Sequence, residues 1–400
     1  MSVFFGIVLG AYIAINAYLF ARLFSTLAGS GAFRAIVCAV FLLFAVSFPV
    51  SRIFAGKLPE PLINAMALMG SLYISPMLYG FIFTLAADIL RLLNSVIAIT
   101  HNPPPYSLGV RLWSIAAIFA LSMFVTLAGL WNANSPTVVT REVTLGNPAQ
   151  GGNGYFKIAM MSDIHLGERT GPKYIKKLAE LTNAQFPDIV LLLGDTVDSA
   201  EFFKDEKRVG ESAEALAGFS SRLGTWAVLG NHDYYAEAPK VAKFLETAGV
   251  RLLRDEAVTL DDGLILAGRD DMTLAQRGTG RKSIAEILSP LAETGDDAKY
   301  PVILMDHQPH KLGEAMENGV ALQLSGHTHR GQLWPINFIV AGLYEKSYGM
   351  YEKGGTRYCI SSGAGVWGPP VRTIGRPEIV IINLRYDKEG GYDKWKITRD

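Results

Sequence analysis

The chain has 400 residues, half of them hydrophobic, with 37 basic and 37 acidic side chains and no net formal charge. Only eight charged residues precede Asn134 (Arg22, Arg34, Arg52, Lys57, Glu60, Asp88, Arg91 and Arg111), which excludes a uniform soluble protein: residues 1–133 read as a membrane region and 134–400 as a globular domain. The globular part keeps 31 basic against 35 acidic residues, a net −4, which argues against a domain built to hold long nucleic acid.

In chain order, uncharged runs at 3–20, 35–51, 61–87 and 112–131 predict about four spanning helices, because roughly 20 apolar residues cross a bilayer. The third run, interrupted by Gly70, Pro76 and Gly80, is expected to tilt or kink. Buried core helices of a soluble protein are the competing reading, but polar faces are missing throughout. No ionisable residue sits in the middle of a run, so an anchor or lipid-facing platform is favoured over a transport pathway. Nothing basic precedes the first run and further runs follow it, unlike a cleaved signal peptide. Arg22, Arg34, Arg91 and Arg111 fall on one side of four spans, Arg52 and Lys57 on the other; the richer side belongs in the cytoplasm, which puts the C-terminal domain outside it. Cys38 and Cys359 fall in different regions, and no disulfide is expected between them.

Beyond residue 154 the pattern is α/β. The runs "YFKIAMM", "DIVLLL", "TWAVL", "VILM" and "ALQL" have strand length, while "GPKYIKKLAELTNA" and "APKVAKFLETAG" have helical spacing. The stretches "VRLLRDEAVTLDDGLILAG" and "GTRYCISSG" read as antiparallel strands, giving mixed sheets flanked by helices.

Each strand run ends in polar residues. "SDIHLG" supplies Asp163 and His165, "GDTVD" Asp195 and Asp198, "GNHD" Asn231 and His232, "DHQPH" His307, and "SGHTHRGQ" His327 and His329. Singly these are weak: Asp198 could cap a helix, "GNHD" could be a tight turn, and His307 could end a strand. Ligand sites in open α/β sheets lie beyond the carboxyl ends of strands, so five such ends would deliver imidazole, carboxylate and amide groups to one edge. Without thiolates, the set suits hard or borderline divalent metals, manganese, iron or zinc. Seven ligands, four histidines, two aspartates and an asparagine, exceed what one ion takes while keeping an open position, but suit two ions sharing a carboxylate.

This series of motifs resembles the calcineurin-like metallophosphoesterases over about 155–332, and "SSGAGVWGPPVR" is similar to the tail of membrane-linked bacterial and transmembrane members. The resemblance implies a four-layer α/β/β/α domain and a metal-dependent phosphoesterase in a bacterial inner membrane. One ion would then be held by Asp163, His165 and His329, the other by Asn231, His307 and His327, with Asp195 bridging. His232 would stabilise the transition state or protonate the leaving group, and Asp198 would orient a histidine or merely cap a helix. Arg330 stands where that subfamily commonly has glycine, and its guanidinium suits a non-bridging phosphate oxygen. His310 is read as a solvated histidine, and "GVWGPPVR" as pocket wall, membrane contact or sheet closure.

The anchor makes a lipid-linked or envelope phosphoester the expected substrate. Resemblance adds UDP-2,3-diacylglucosamine, which requires access to the cytoplasmic face. A membrane sensor or scaffold with a structural metal site, and a nuclease of the same superfamily, are the alternatives; the first leaves His232 unexplained, and the second sits badly with the charge.

Overall fold

Apolar, sparsely charged sequence over lengths of 23 to 38 residues forms the helices α1 (Ser2–Thr26), α2 (Gly31–Ile53), α3 (Glu60–Ile97) and α4 (Leu108–Ala133), each long and apolar enough to cross a membrane. The structure, a computed structural model, describes residues 2–27, 31–54, 56–97, 108–146, 155–260, 264–276, 278, 280–294 and 300–387. The long third run is one continuous helix through Gly70, Pro76 and Gly80. A Cβ at Gly70 would overlap the Phe48 backbone, so the missing side chain lets α2 and α3 approach closely. Polar groups on the bundle's inner faces find one another: Tyr73 donates to Asn16 Oδ1 (2.6 Å), and the Ser75 and Thr126 hydroxyls pair at 2.8 Å. Asp88 of α3 pairs with Arg22 of α1 (2.7 Å) and with Arg91 (3.1 Å), so these ends of α1 and α3 lie on the same side.

The chain divides into two compact units, Met1–Trp131 with Gly368–Thr373, and Asn132–Trp367 with Ile374–Asp400. The six-residue excursion accounts for the "GPPVR" segment. The Arg372 N–H donates to Gly129 O of α4 (3.0 Å), Val371 and Thr373 flank Gly129, the Thr373 hydroxyl pairs with that of Tyr79, and Arg372 is fully buried.

In the second unit the elements follow as β1 (Thr137–Gly146), β2 (Tyr155–Met161), α5 (Pro172–Asn183), β3 (Ile189–Leu193), α6 (Glu206–Ala217), β4 (Thr225–Val228), α7 (Asn231–Tyr235), α8 (Ala238–Thr247), β5 (Arg251–Leu252), β6 (Glu256–Leu260), β7 (Leu264–Gly268), α9 (Met272–Gln276), α10 (Ile284–Thr294), β8 (Val302–Met305), α11 (Gly313–Glu317), β9 (Leu322–Ser325), α12 (Ile336–Leu343), β10 (Gly349–Lys353), β11 (Thr356–Ile360) and β12 (Glu378–Asp387). They build two six-stranded mixed sheets, ordered β1-β12-β2-β3-β4-β5 and β10-β11-β9-β8-β7-β6. Strands β2 to β5 run parallel, as do β7, β8, β9 and β11, while β12 against β2, β6 against β7 and β10 against β11 are antiparallel. Residues 261–263 of the β6–β7 stretch lie outside the described residues.

The side-chain period of two sorts each strand between layers. Ile158, Met160, Leu191 and Leu193 of the first sheet meet Leu266, Met305 and Leu324 of the second in the central core. Ala159, Met161, Val190 and Leu192 turn outward onto Ile175, Leu216 and Val241 of α5, α6 and α8; Ile265 and Leu304 turn onto Ile284 of α10. The result is the four-layer α/β/β/α arrangement. The five polar strand ends come from both sheets, β2, β3 and β4 from one and β8 and β9 from the other. Both cysteines are free and buried.

Candidate metal centre

The turns after β2, β3, β4, β8 and β9 converge. Asp163 donates its N–H to Gly194 O and His165 to Asp195 O, both at 3.0 Å, joining the first two turns; the Gly326 N–H reaches His307 O at 2.9 Å, joining the last two. Five residues of the predicted ligand set, Asp163, His165, Asp195, His327 and His329, have φ between 48° and 68°. Non-glycine residues seldom occupy this left-handed region, and such strain persists where surrounding structure imposes it, characteristically at functional sites.

Among the described residues the side chains gather into three groups, two of them sharing His165, each with ligand atoms within 4.8 Å of one another: Asp163, His165 and His329; Asp195, His307 and His327; and His165, Asp198 and His232. Nε2 of His165 lies 3.1 Å from Nε2 of His329 and 3.9 Å from Asp195 Oδ2; that same oxygen is 3.2 Å from His307 Nε2. Asp195 thus stands between the first two groups.

Acceptors fix which ring nitrogen faces inward. His307 donates Nδ1–H to Leu193 O (2.7 Å), and His165 Nδ1 lies 3.1 Å from Asp198 Oδ1, so each turns Nε2 to the centre, the arrangement by which partners orient metal-binding imidazoles. Oδ1 of Asn231 is buried with no hydrogen-bond partner. Buried acceptors of that kind need a positive partner. The residues present therefore fit divalent cations.

Burial alone would raise the Asp163, Asp195 and Asp198 carboxyls, but the surrounding histidines hold all three below the ordinary range. Burial, then the charge of His307, pushes His327 down to about 4, leaving a neutral imidazole. His232 goes the other way: Asp198 and Asp195 outweigh burial and raise it to about 9. Its Nδ1–H donates to the Asp198 backbone carbonyl (2.8 Å) and lies 3.4 Å from Oδ1. Its ring is 5.4 Å from Tyr235 and 5.8 Å from Trp367.

Asp198 touches both His165 and His232 and caps no helix; Asp205 caps α6, accepting from the Arg208 N–H. The Arg330 guanidinium lies over the Tyr348 ring, 4.2 Å from its centroid. His310, read as solvated, is half-buried and stacks on Tyr344, whose ring is also 6.3 Å from His327. The sequence reading assigned nothing to Asp233, the last residue of "GNHD". Its buried carboxylate accepts the N–H groups of Val197 (2.9 Å), Thr196 (3.3 Å) and Gly230 (2.9 Å), strapping the β3 turn to the β4 turn. An acidic residue three positions beyond a strand-ending glycine was its only signal.

Residues 156–331 match the family description of the calcineurin-like phosphoesterases. An uncharacterised metallophosphoesterase of Campylobacter jejuni is 30% identical over 390 residues, covering 96% of this chain and 99% of that one. The chain belongs to the calcineurin-like metallophosphoesterases. A Danio rerio transmembrane protein with a metallophosphoesterase domain is 32% identical over 67% of this chain and 62% of its own length. Among solved structures, a dimetal phosphatase from Danio rerio aligns with a TM-score of 0.36 at 12% identity, over 51% of this chain and 86% of that one. This metallophosphoesterase is thus a metal-dependent phosphoester hydrolase with, among the described residues, four helices long and apolar enough to cross a membrane.

Proposed function

We propose that this metallophosphoesterase is an integral protein of a bacterial inner membrane that uses two divalent ions, drawn from manganese, iron and zinc, to hydrolyse a phosphoester or pyrophosphate bond of a lipid-linked or envelope substrate. The observation that carries the dinuclear reading is the position of Asp195 Oδ2, within 3.9 Å of a nitrogen from each of the two ligand groups. Asp163, His165 and His329 would hold one ion, Asn231, His307 and His327 the other, with Asp195 shared. When bound, such ions supply Lewis acidity, offsetting charge on the phosphoryl oxygens and lowering the pKa of water.

The chain's own residues supply the proton. His232 keeps Nδ1–H on the Asp198 carbonyl, so Nε2 is the atom left to donate to a leaving oxygen. Asp198 and Asp195 favour its protonated form at neutral pH. Asp198 orients both His232 and His165. Arg330 would receive a non-bridging phosphate oxygen after leaving Tyr348.

The distribution of arginine and lysine between the loops favours a catalytic domain outside the cytoplasm. Hydrolysis by the detergent-purified full-length protein with manganese, of an aryl phosphodiester beside UDP-2,3-diacylglucosamine, tests both substrate and side. Faster turnover of the nucleotide lipid assigns that substrate and moves the domain to the cytoplasmic face; turnover of the aryl ester alone directs attention to envelope phosphoesters. Full activity in both Asp195→Asn and His232→Ala would sink the mechanism. Bound metal with neither substrate cut would favour a scaffold.

A further inference from the structure

The helix that follows the last metal-ligand motif is unlike its neighbours in the catalytic unit. Helices α5 and α8 bury an apolar face, Ile175 and Leu178 in one, Val241 and Leu245 in the other, and turn lysines outward. Helix α12, "INFIVAGL", has no buried residue, and no charged side chain occurs from Gly331 to Tyr344. Phe338, Ile339 and Leu343 are 66%, 64% and 60% exposed, and Trp334, just before the helix, 45%. Trp367 is 53% exposed and is fastened beside this stretch by two hydrogen bonds: its N–H donates to Gln332 Oε1 (3.0 Å), and Gln332 Nε2 donates to its carbonyl (2.9 Å). Among the described residues from Asn132 onward, these five account for most of the large exposed hydrophobics, and all lie on α12, just before it, or on the segment hydrogen-bonded to Gln332.

A helix apolar on nearly all sides belongs in a core or in a membrane. This one is outside the core. Only residues 134–136 join α4 to β1, and Trp367 is followed at once by the six residues grouped with the membrane-region helices. Tryptophan flanking an apolar stretch is the side-chain pattern of the bilayer interface, where the ring is apolar and its N–H is wet. We propose that α12, with Trp334 and Trp367, inserts into the interfacial layer of the lipid bilayer and places the mouth of the metal centre at headgroup level. Trp367 joins the two, its ring 5.8 Å from His232. The proposal rests on the membrane anchorage and holds whichever phosphoester is cut.

The test uses the full chain in vesicles of phosphatidylcholine and phosphatidylglycerol whose acyl chains carry a nitroxide quencher. A fluorophore is attached through Ile339→Cys; native Cys38 and Cys359 are buried and stay unlabelled. Label at Leu43→Cys, 50% exposed on α2, reports the bilayer, and label at Phe186→Cys, 85% exposed before β3, reports water. All three sites are exposed, so labelling leaves the packing intact. The Ile339 label should lose most of its emission, as the Leu43 label does. An Ile339 label as bright as the Phe186 label, while the Leu43 label is quenched, overturns the proposal. Unquenched Ile339 cysteines that cross-link between two chains overturn it in favour of a second copy.

Discussion

Replacing Asp233 with alanine asks how much of the centre's shape depends on one carboxylate. The side chain is shut off from solvent and accepts three backbone N–H groups, two at 2.9 Å and one at 3.3 Å. Hydrogen bonds to a charged acceptor contribute about 1.5–3 kcal/mol each, so two well-formed bonds and one long one amount to about 4 kcal/mol or more. Part of that is offset. Burial and the neighbouring charge of Asp195 raise the Asp233 carboxyl to about 6, and removing it relieves that repulsion. The net loss is about 2–3 kcal/mol, which for a domain of this size lowers the melting temperature by about 5–10 °C. Asp233→Asn keeps the shape but sets an amide N–H₂ against a backbone N–H, so it should fall between alanine and the native residue. Near-ultraviolet circular dichroism of the full chain in detergent reads the melting, and elemental analysis reads bound metal. An alanine variant within about 1 kcal/mol of the parent, the size of one ordinary hydrogen bond, and holding its full metal, would refute the claim that this residue holds the β3 and β4 turns together.

If His232 donates a proton, activity falls as pH rises through about 9, where that group is lost; Asp198→Asn, which removes the leading partner that raises it, should move the alkaline limb of the pH–rate profile downward. Removing metal with a chelator should lower the melting temperature and readdition restore it, because an ion bound only by the folded form stabilises by about 2.7 kcal/mol at a hundred times its Kd. Metal affinity should also weaken as pH falls, since the ligating histidines must be neutral. At Gly230 an added Cβ would overlap Asp195 Oδ1 and stand 2.8 Å from His307 Nε2, so Gly230→Ala should lose metal while its far-ultraviolet circular dichroism stays native; undiminished metal binding would refute it.

The parts of the fold legible in sequence were those with a local signature. The strand runs at 189–193 and 302–305 announce themselves by continuous apolar residues, and their endings carry the chemistry. The pairing of β1 with β12 was not legible: Val143 meets Leu384 in register across most of the chain, and parallel pairing of distant segments leaves no turn or spacing to read. Helix α6 carries Glu and Lys outward with a short inner face of Ser212, Ala213, Ala215 and Leu216, and gave no run to notice. The ligand residues were readable by type, but their left-handed backbone was not, because aspartate and histidine do not advertise it as glycine does. Asp198 stayed ambiguous for a chemical reason: a carboxylate after a strand caps helices and orients imidazoles equally well, and only the nearness of His165 and His232 separates the two.

The return of Gly368–Thr373 to the helical unit changes what a protease can do. The polypeptide passes between the units at 131–132, 367–368 and 373–374, and a nick in the short stretch before β1 severs the one covalent path from α4 to the catalytic domain. What still holds the nicked domain is the packing of Gly368–Thr373 in the helical unit, through the Arg372 N–H on Gly129 O and through Val371 and Thr373 beside Gly129. A cut within the excursion would instead separate β12 from the chain that precedes it, although β12 lies between β1 and β2 in its sheet. A single cleavage before β1 therefore leaves an intact catalytic domain held without a covalent bond, and transplanting that domain onto another anchor carries Gly368–Thr373 with it.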